Sequence, residues 1–169
     1  MLYVTYVILG ILFLIYLTPL NKLNFSNDLI NYPFRAFEHA NMTHILANAV
    51  SFYGLSFIEE AMGSPAYLTA IVFIWLVSSF LLYAYHSIFP SRKVVTVGFS
   101  GVVFGLIVVY LFMLNSKPGI PLAGLLISII PQVFVPGISY EGHICGVIAG
   151  VIYSMLFAVN KYKDKLAIK

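Results

Sequence analysis

Three short patterns in this 169-residue sequence gather side chains that could do chemistry. They are His39-x-x-x-x-His44-x-x-x-Asn48, Gly98-Phe99-Ser100-Gly101, and Gly142-His143-Ile144-Cys145-Gly146 with Gly150 four residues on. His44 and Asn48 stand at i and i+4, so on a helix they share a face and donate hydrogen bonds into a common spot. A serine at a helix start beside an imidazole is a nucleophile with a base. Rival chemistries fail by absence. Val102 stands where a Gly-x-Ser-x-Gly elbow needs its second glycine, and no His-Glu-x-x-His exists. His39 and His44 are five apart, which does not set two metal ligands on one helical face. The only aspartates, Asp28 and Asp164, lie outside the apolar stretches, so an aspartyl pair and a Ser-His-Asp triad both lapse. A serine hydrolase built from this chain would use a dyad, with no metal and no cofactor.

The elements that must position these residues follow from composition. The chain is 61% hydrophobic and 9% charged, against roughly 25% charged residues in an ordinary soluble domain. With His counted neutral, six charge-free runs cover 1–21, 39–58, 61–91, 94–116, 118–140 and 142–160. About 20 apolar residues cross a bilayer as a helix, so each run is long enough to cross once. A soluble enzyme, a nucleic-acid binder and a disordered tail are excluded. The expectation is an all-α membrane protein, a six-transmembrane-helix bundle forming one domain over 1–169. Its spans fall at about 2–20, 43–58, 66–88, 99–114, 119–136 and 143–160. Pro65 and Pro90 bracket the third run. The first run has no Lys or Arg ahead of it and no small-x-small cleavage site, so it reads as a retained span. The connection 24–41 mixes Phe25, Tyr32, Phe34 and Phe37 with Asp28, Arg35 and Glu38, which suits an interfacial loop. His86, beside Tyr83 and Tyr85 at the end of the third span, reads as an interfacial residue. Cys145 is the lone cysteine, so no intrachain disulfide forms.

Spans alternate in direction, so the starts of the second, fourth and sixth lie on one membrane side, and these carry the three patterns. Gly142, Gly146 and Gly150 recur every four residues, as do Gly101 and Gly105. Such small-residue faces let helix backbones approach closely in lipid. If these two faces meet, Ser100 and His143 arrive together. Either pattern alone reads more simply as glycine packing with an incidental Ser or His. Both together, with His44 and Asn48 on the same side, favour a site. Lys117, Lys161, Lys163, Lys165 and Lys169 fall on one side, and Lys22, Arg35, Arg92 and Lys93 on the other. The positive-inside rule then puts both termini in the cytoplasm and the site on the extracytoplasmic side.

Taken in order along a six-span core, the three patterns resemble the rhomboid family of intramembrane serine proteases. Glu59 with Gly63-Ser64 adds a further echo. The resemblance spans essentially the whole chain. It implies Ser100 as nucleophile and His143 as general base and acid, which requires a neutral His143 at working pH. It implies an oxyanion hole from the His44 and Asn48 side chains and the Ser100 backbone N–H, and a supporting role for His39 beside the site. Phe104 stands where rhomboids usually stack a Tyr on the catalytic His; it keeps the stacking face and loses the hydroxyl. The first-loop Trp-Arg pair is absent, and Arg35 with its aromatic neighbours is the candidate anchor instead. The implied partners are transmembrane protein substrates and the lipid bilayer, with small residues favoured at the cut and no nucleic acid; oligomeric state is unread. Two rivals remain: an inactive rhomboid-like protein that binds membrane helices, and, more distantly, a small transporter or channel.

Overall fold

A chain so poor in charge has to satisfy its backbone groups internally, and it does so as helices. The computed structural model describes residues 1–93, 95–115, 117–134 and 139–166. Among these are eight α-helices and no strand. They are α1 (Tyr3–Tyr16), α2 (Asp28–Arg35), α3 (Met42–Gly54), α4 (Phe57–Met62), α5 (Ser64–Ile88), α6 (Ser100–Leu114), α7 (Gly119–Ile129) and α8 (Tyr140–Phe157). Short 3-10 segments cover Pro19–Lys22, Pro90–Arg92, Ile130–Phe134 and Val159–Leu166. By length and composition, α5 and α8 are long and apolar enough to cross a membrane. The helices Tyr3–Tyr16, Ser100–Leu114 and Gly119–Phe134 are apolar but shorter. Leu14, Val50, Phe80 and Ile127 are all exposed, an outer surface suited to lipid.

Helix ends differ from the sequence expectation for local reasons. α1 stops at Tyr16 rather than near 20, because Pro19 opens a 3-10 turn. The expected second span breaks at Gly54 and resumes as the separate α4. α7 gives way at Ile130, immediately before Pro131. The last two residues of the expected fifth span, 135–136, and Lys169 lie outside the described residues. α8 starts earlier than expected, at Tyr140, where the Ser139 side chain accepts from the Gly142 N–H at 3.3 Å. It ends at Phe157, because Ala158 turns left-handed with φ 46°.

The closest packing joins α6 to α8. A Cβ built on Gly101 would stand 3.2 Å from the Gly142 carbonyl oxygen, and one on Gly105 2.9 Å from that of Gly146. On the facing helix, a Cβ at Gly146 would strike the Gly101 carbonyl, and one at Gly150 would meet the Gly105 carbonyl at 2.5 Å. The glycines alternate across the contact, so each backbone sits where the other lacks a side chain. Phe52, Ile74, Leu106 and Tyr153, each 2% exposed or less, extend this contact into the core shared with α3 and α5.

The first residues of α1 have no side-chain cap of their own. Glu59, on α4 between the expected second and third spans, supplies one from 54 residues away. Its carboxylate accepts from the Val4 and Thr5 amides, both at 2.9 Å, from the Thr5 hydroxyl at 2.7 Å and from the Ser64 hydroxyl at 2.6 Å. An anion at a helix N-terminus also meets the positive end of the macrodipole. Burial alone would raise the carboxyl's pKa; the bonds from Ser64, Thr5 and Val4 outweigh it and hold it below the usual range. A depressed folded value stabilises the protein above the unfolded value, about 4.3 for Glu, and that contribution disappears as pH falls through the folded value. The melting temperature in detergent is therefore expected to fall on acidification below about pH 4.3. Glu59→Gln should lose that acid dependence and melt lower already at neutral pH, the loss corresponding to about 2 kcal/mol for charge-assisted bonds.

The first connection contains the helix α2 and is tied down by side-chain bonds. Asn27 caps α2 by accepting from the Leu29 amide at 2.9 Å. The buried Asn31 amide exchanges two 2.6 Å bonds with the Phe25 backbone. Trp75 of α5 donates to the Pro33 carbonyl at 2.8 Å, and Phe37 packs edge-on against Trp75. Arg35 donates to the Asn24 side chain at 3.1 Å. Exposed Lys93 and Asp28 pair at 2.7 Å. His86 is 2% exposed and hydrogen-bonded to the Tyr32 hydroxyl at 2.8 Å. It pins α2 to α5.

Candidate active site

The site is assembled where α3, α6 and α8 begin. α6 starts at Ser100, and the turn before it depends on Gly98, whose φ of 111° lies in the region that favours glycine. A side chain at 98 would also stand 2.7 Å from His44 Cε1 and Nε2 and 3.6 Å from Asn48 Nδ2. The His44 ring and the Asn48 amide therefore lie together against the turn that presents Ser100. The Gly98 N–H donates to the Arg35 carbonyl at 3.0 Å, so α2 holds the same turn from its other side.

Across the α6–α8 contact, His143 Nε2 lies 2.8 Å from Ser100 Oγ. The glycines set this distance: Gly101 follows Ser100 and Gly142 precedes His143, and these two residues touch. One turn along α6, Phe104 stacks on the imidazole with centroids 4.4 Å apart and planes 16° from parallel. The second ring nitrogen, Nδ1, lies 2.5 Å from Gln132 Oε1. Both faces of the ring's freedom are thus restricted, tilt by Phe104 and rotation by the two bonded nitrogens.

Asn48 is 5% exposed and donates one amide hydrogen to the His44 carbonyl at 3.0 Å, which leaves its second hydrogen for another acceptor. Ser100 opens α6, and the first N–H groups of a helix have no intrahelical partner. Among the described residues, the His44 ring, the second Asn48 amide hydrogen and the Ser100 N–H are accordingly donors left for another acceptor at one place. A cavity of about 540 Å³ opens there, lined by Tyr32, His44, Asn48, Ser79, Ser100 and His143 among others.

His39 is buried and stands behind the cavity rather than in its wall. The Asn21 side chain brackets it, accepting from its N–H at 2.8 Å and donating to its carbonyl at 2.9 Å. Its Nδ1 is 3.1 Å from the Phe37 carbonyl, and its ring meets His44 edge-on at 5.1 Å. Burial, with the neighbouring His44, pushes its pKa down to about 4, so it stays neutral and buttresses the His44 ring.

Chemically, the arrangement places a hydroxyl on an imidazole nitrogen, beside hydrogen-bond donors and a cavity that admits water. Among the described residues, no group of three or more His, Cys, Asp or Glu could hold a metal ion. The residues singled out from sequence, Ser100, His143, His44, Asn48, Gly98, Gly101 and Phe104, stand together, with His39 one layer out. Gln132 was not singled out, although its signal was available: it is the chain's only glutamine, inside an otherwise apolar run. Asn21, Asn31 and the Tyr32–His86 pair carry no local signal, since each acts on a partner distant in sequence or on backbone.

The family described as Rhomboid domain matches residues 26–160. A protein of Acanthamoeba polyphaga mimivirus, named as a rhomboid protein, is 58% identical over 94% of this chain and 93% of its own length. A rhomboid-like mitochondrial protein of Arabidopsis thaliana is 31% identical over 72% of this chain and 41% of its own. An uncharacterized protein of Mycobacterium leprae is 26% identical over 75% of this chain and 55% of its own. The chain thus spans nearly all of the viral relative and about half of the other two.

Proposed function

Since this chain belongs to the rhomboid family, and is with it an integral membrane protein, we propose that it is an intramembrane serine protease cutting transmembrane segments of other membrane proteins. The observation that carries this reading is the 2.8 Å contact of His143 Nε2 with Ser100 Oγ at the edge of the cavity that His44 and Asn48 also line. Ser100 gives its proton to Nε2 as Oγ attacks the scissile carbonyl carbon. Negative charge then collects on the carbonyl oxygen, toward the His44 ring, the Asn48 amide and the Ser100 N–H. Loss of one such donor typically raises the barrier by roughly 2.7–4 kcal/mol. The proton on His143 passes to the leaving amine, the C–N bond breaks, and an acyl ester remains on Ser100. Water from the cavity, giving a proton to His143, attacks that ester; the carboxylic acid leaves and Ser100 Oγ takes the proton back.

A helical peptide bond has its carbonyl engaged, so a substrate helix must unwind locally before Ser100 can reach it. We place both termini in the cytoplasm and the cavity on the extracytoplasmic side, following the Lys-rich segment 161–165. Reconstituted protein is expected to cut a single-span substrate within or beside its transmembrane helix, and Ser100→Ala is expected to leave that substrate whole. Equal cleavage by both would sink the reading, as would no cleavage by either.

A further inference from the structure

His143 makes a second polar contact that a two-residue mechanism leaves without a role. We infer that Gln132 is a positioning residue for the reaction, an amide that fixes the tautomer and rotation of His143 from the fifth apolar segment. This inference rests on the protease reading above. Gln132 sits half-buried in the 3-10 segment Ile130–Phe134, eleven residues before His143 and on a different element. Its side chain is held at both ends. Nε2 donates to the Ser128 carbonyl at 3.4 Å, one helical turn back, and Oε1 lies 2.5 Å from His143 Nδ1.

The orientation of the amide follows from its partners. A carbonyl only accepts, so the end of the amide facing Ser128 is the NH2 group, and the end facing His143 is the oxygen. An oxygen at Nδ1 requires that Nδ1 carry the hydrogen. A neutral imidazole has one N–H, so Nε2 then holds a free lone pair directed at Ser100 Oγ, 2.8 Å away. This is the tautomer that takes a proton from serine; the other one presents N–H to the hydroxyl and cannot. In Ser-His-Asp enzymes a carboxylate does the same orienting and also stabilises the imidazolium by charge. The neutral Gln132 amide supplies orientation alone.

The test uses the full chain in lipid nanodiscs as wild type, Gln132→Met, Gln132→Glu and Ser100→Ala. Methionine keeps the length and removes the acceptor, and glutamate restores an acceptor. Gln132→Met should lower kcat about tenfold to a hundredfold, a part of the roughly 10²–10⁴-fold that a positioned general base contributes. KM should stay nearly unchanged, and Gln132→Glu should recover most of the rate. Nitrogen NMR of labelled imidazoles should show His143 with its hydrogen on Nδ1 in wild type and a mixture in Gln132→Met. A residue that merely packs would move the melting temperature without moving the tautomer, and a charged glutamate would not rescue it. Unchanged kcat in folded Gln132→Met, or hydrogen on Nε2 in wild type, overturns the inference. Should wild type show no Ser100-dependent cleavage, the protease reading falls by itself. The wild-type tautomer then still decides the role of Gln132, whether or not Gln132→Met folds.

Discussion

Replacing His143 with alanine is expected to lower kcat by roughly 10⁶-fold, and adding Ser100→Ala to it is expected to cost almost nothing more. Ser100 Oγ attacks a carbonyl only as its proton leaves, and among the described residues the base within hydrogen-bond reach is His143 Nε2 at 2.8 Å. Without the base the hydroxyl is inert; without the hydroxyl the base has nothing to activate. Two residues that act as a unit give single and double losses of the same size. Cleavage of a reconstituted single-span substrate by His143→Ala, Ser100→Ala and the double variant measures this, with melting temperature as the check on folding. Additive losses would mean that Ser100 and His143 act separately. A His143→Ala enzyme within about a hundredfold of wild type would fall below even the usual contribution of a general base.

The second large effect lies away from the chemistry, at Gly146. A Cβ there would strike the Gly101 carbonyl oxygen and stand 2.9 Å from Gly101 Cα. All of these are backbone atoms of α6, so no rotamer change relieves the clash, and α6 must move off α8. Overpacking a core usually costs about 1–3 kcal/mol where side chains can adjust; here none can. Gly101 adjoins Ser100, so the displacement also stretches the Ser100–His143 contact. Gly146→Val is expected to yield no folded protein. Gly146→Ala is expected to lose several degrees of melting temperature in detergent and most of its activity. Gly124 of α7, with nothing within 4 Å of an added Cβ, is the control. Gly124→Ala should melt at or above the wild-type temperature, since alanine favours a helix interior by up to about 1 kcal/mol. A wild-type melt for Gly146→Ala would contradict the close approach of α6 and α8.

What the sequence disclosed was set by cost. A hydroxyl, an imidazole and an amide inside apolar runs are expensive to keep, so Ser100, His143, His44 and Asn48 stand out against their surroundings. Glycines at four-residue spacing marked the faces of α6 and α8 that meet, and with them the approach of Ser100 to His143. Helix ends were less legible. An apolar run reports its environment, whereas the ends of α1 and α7 answer to Pro19 and Pro131, and that of α3 to Gly54. Long-range pairings were least legible. His86 follows Tyr83 and Tyr85 at the end of a run, and nothing local to it points to Tyr32, 54 residues away. Glu59 reads as a span-end carboxylate, and only the fold reveals it as the cap of α1. Gln132 lacks the charge and titration that draw attention to a residue. Its meaning comes from the ring nitrogen it faces.

The activation of Ser100 by His143 is tested most directly by covalent labelling with a fluorophosphonate, which captures a serine only when its hydroxyl is made nucleophilic. Protein in nanodiscs is labelled, digested and sequenced by mass spectrometry. The expected result is a single phosphonyl adduct on Ser100 in wild type, and none on Ser100 in folded His143→Ala. Wild-type protein that is folded and carries no adduct on Ser100, or equal labelling of Ser100 with and without His143, would contradict the account.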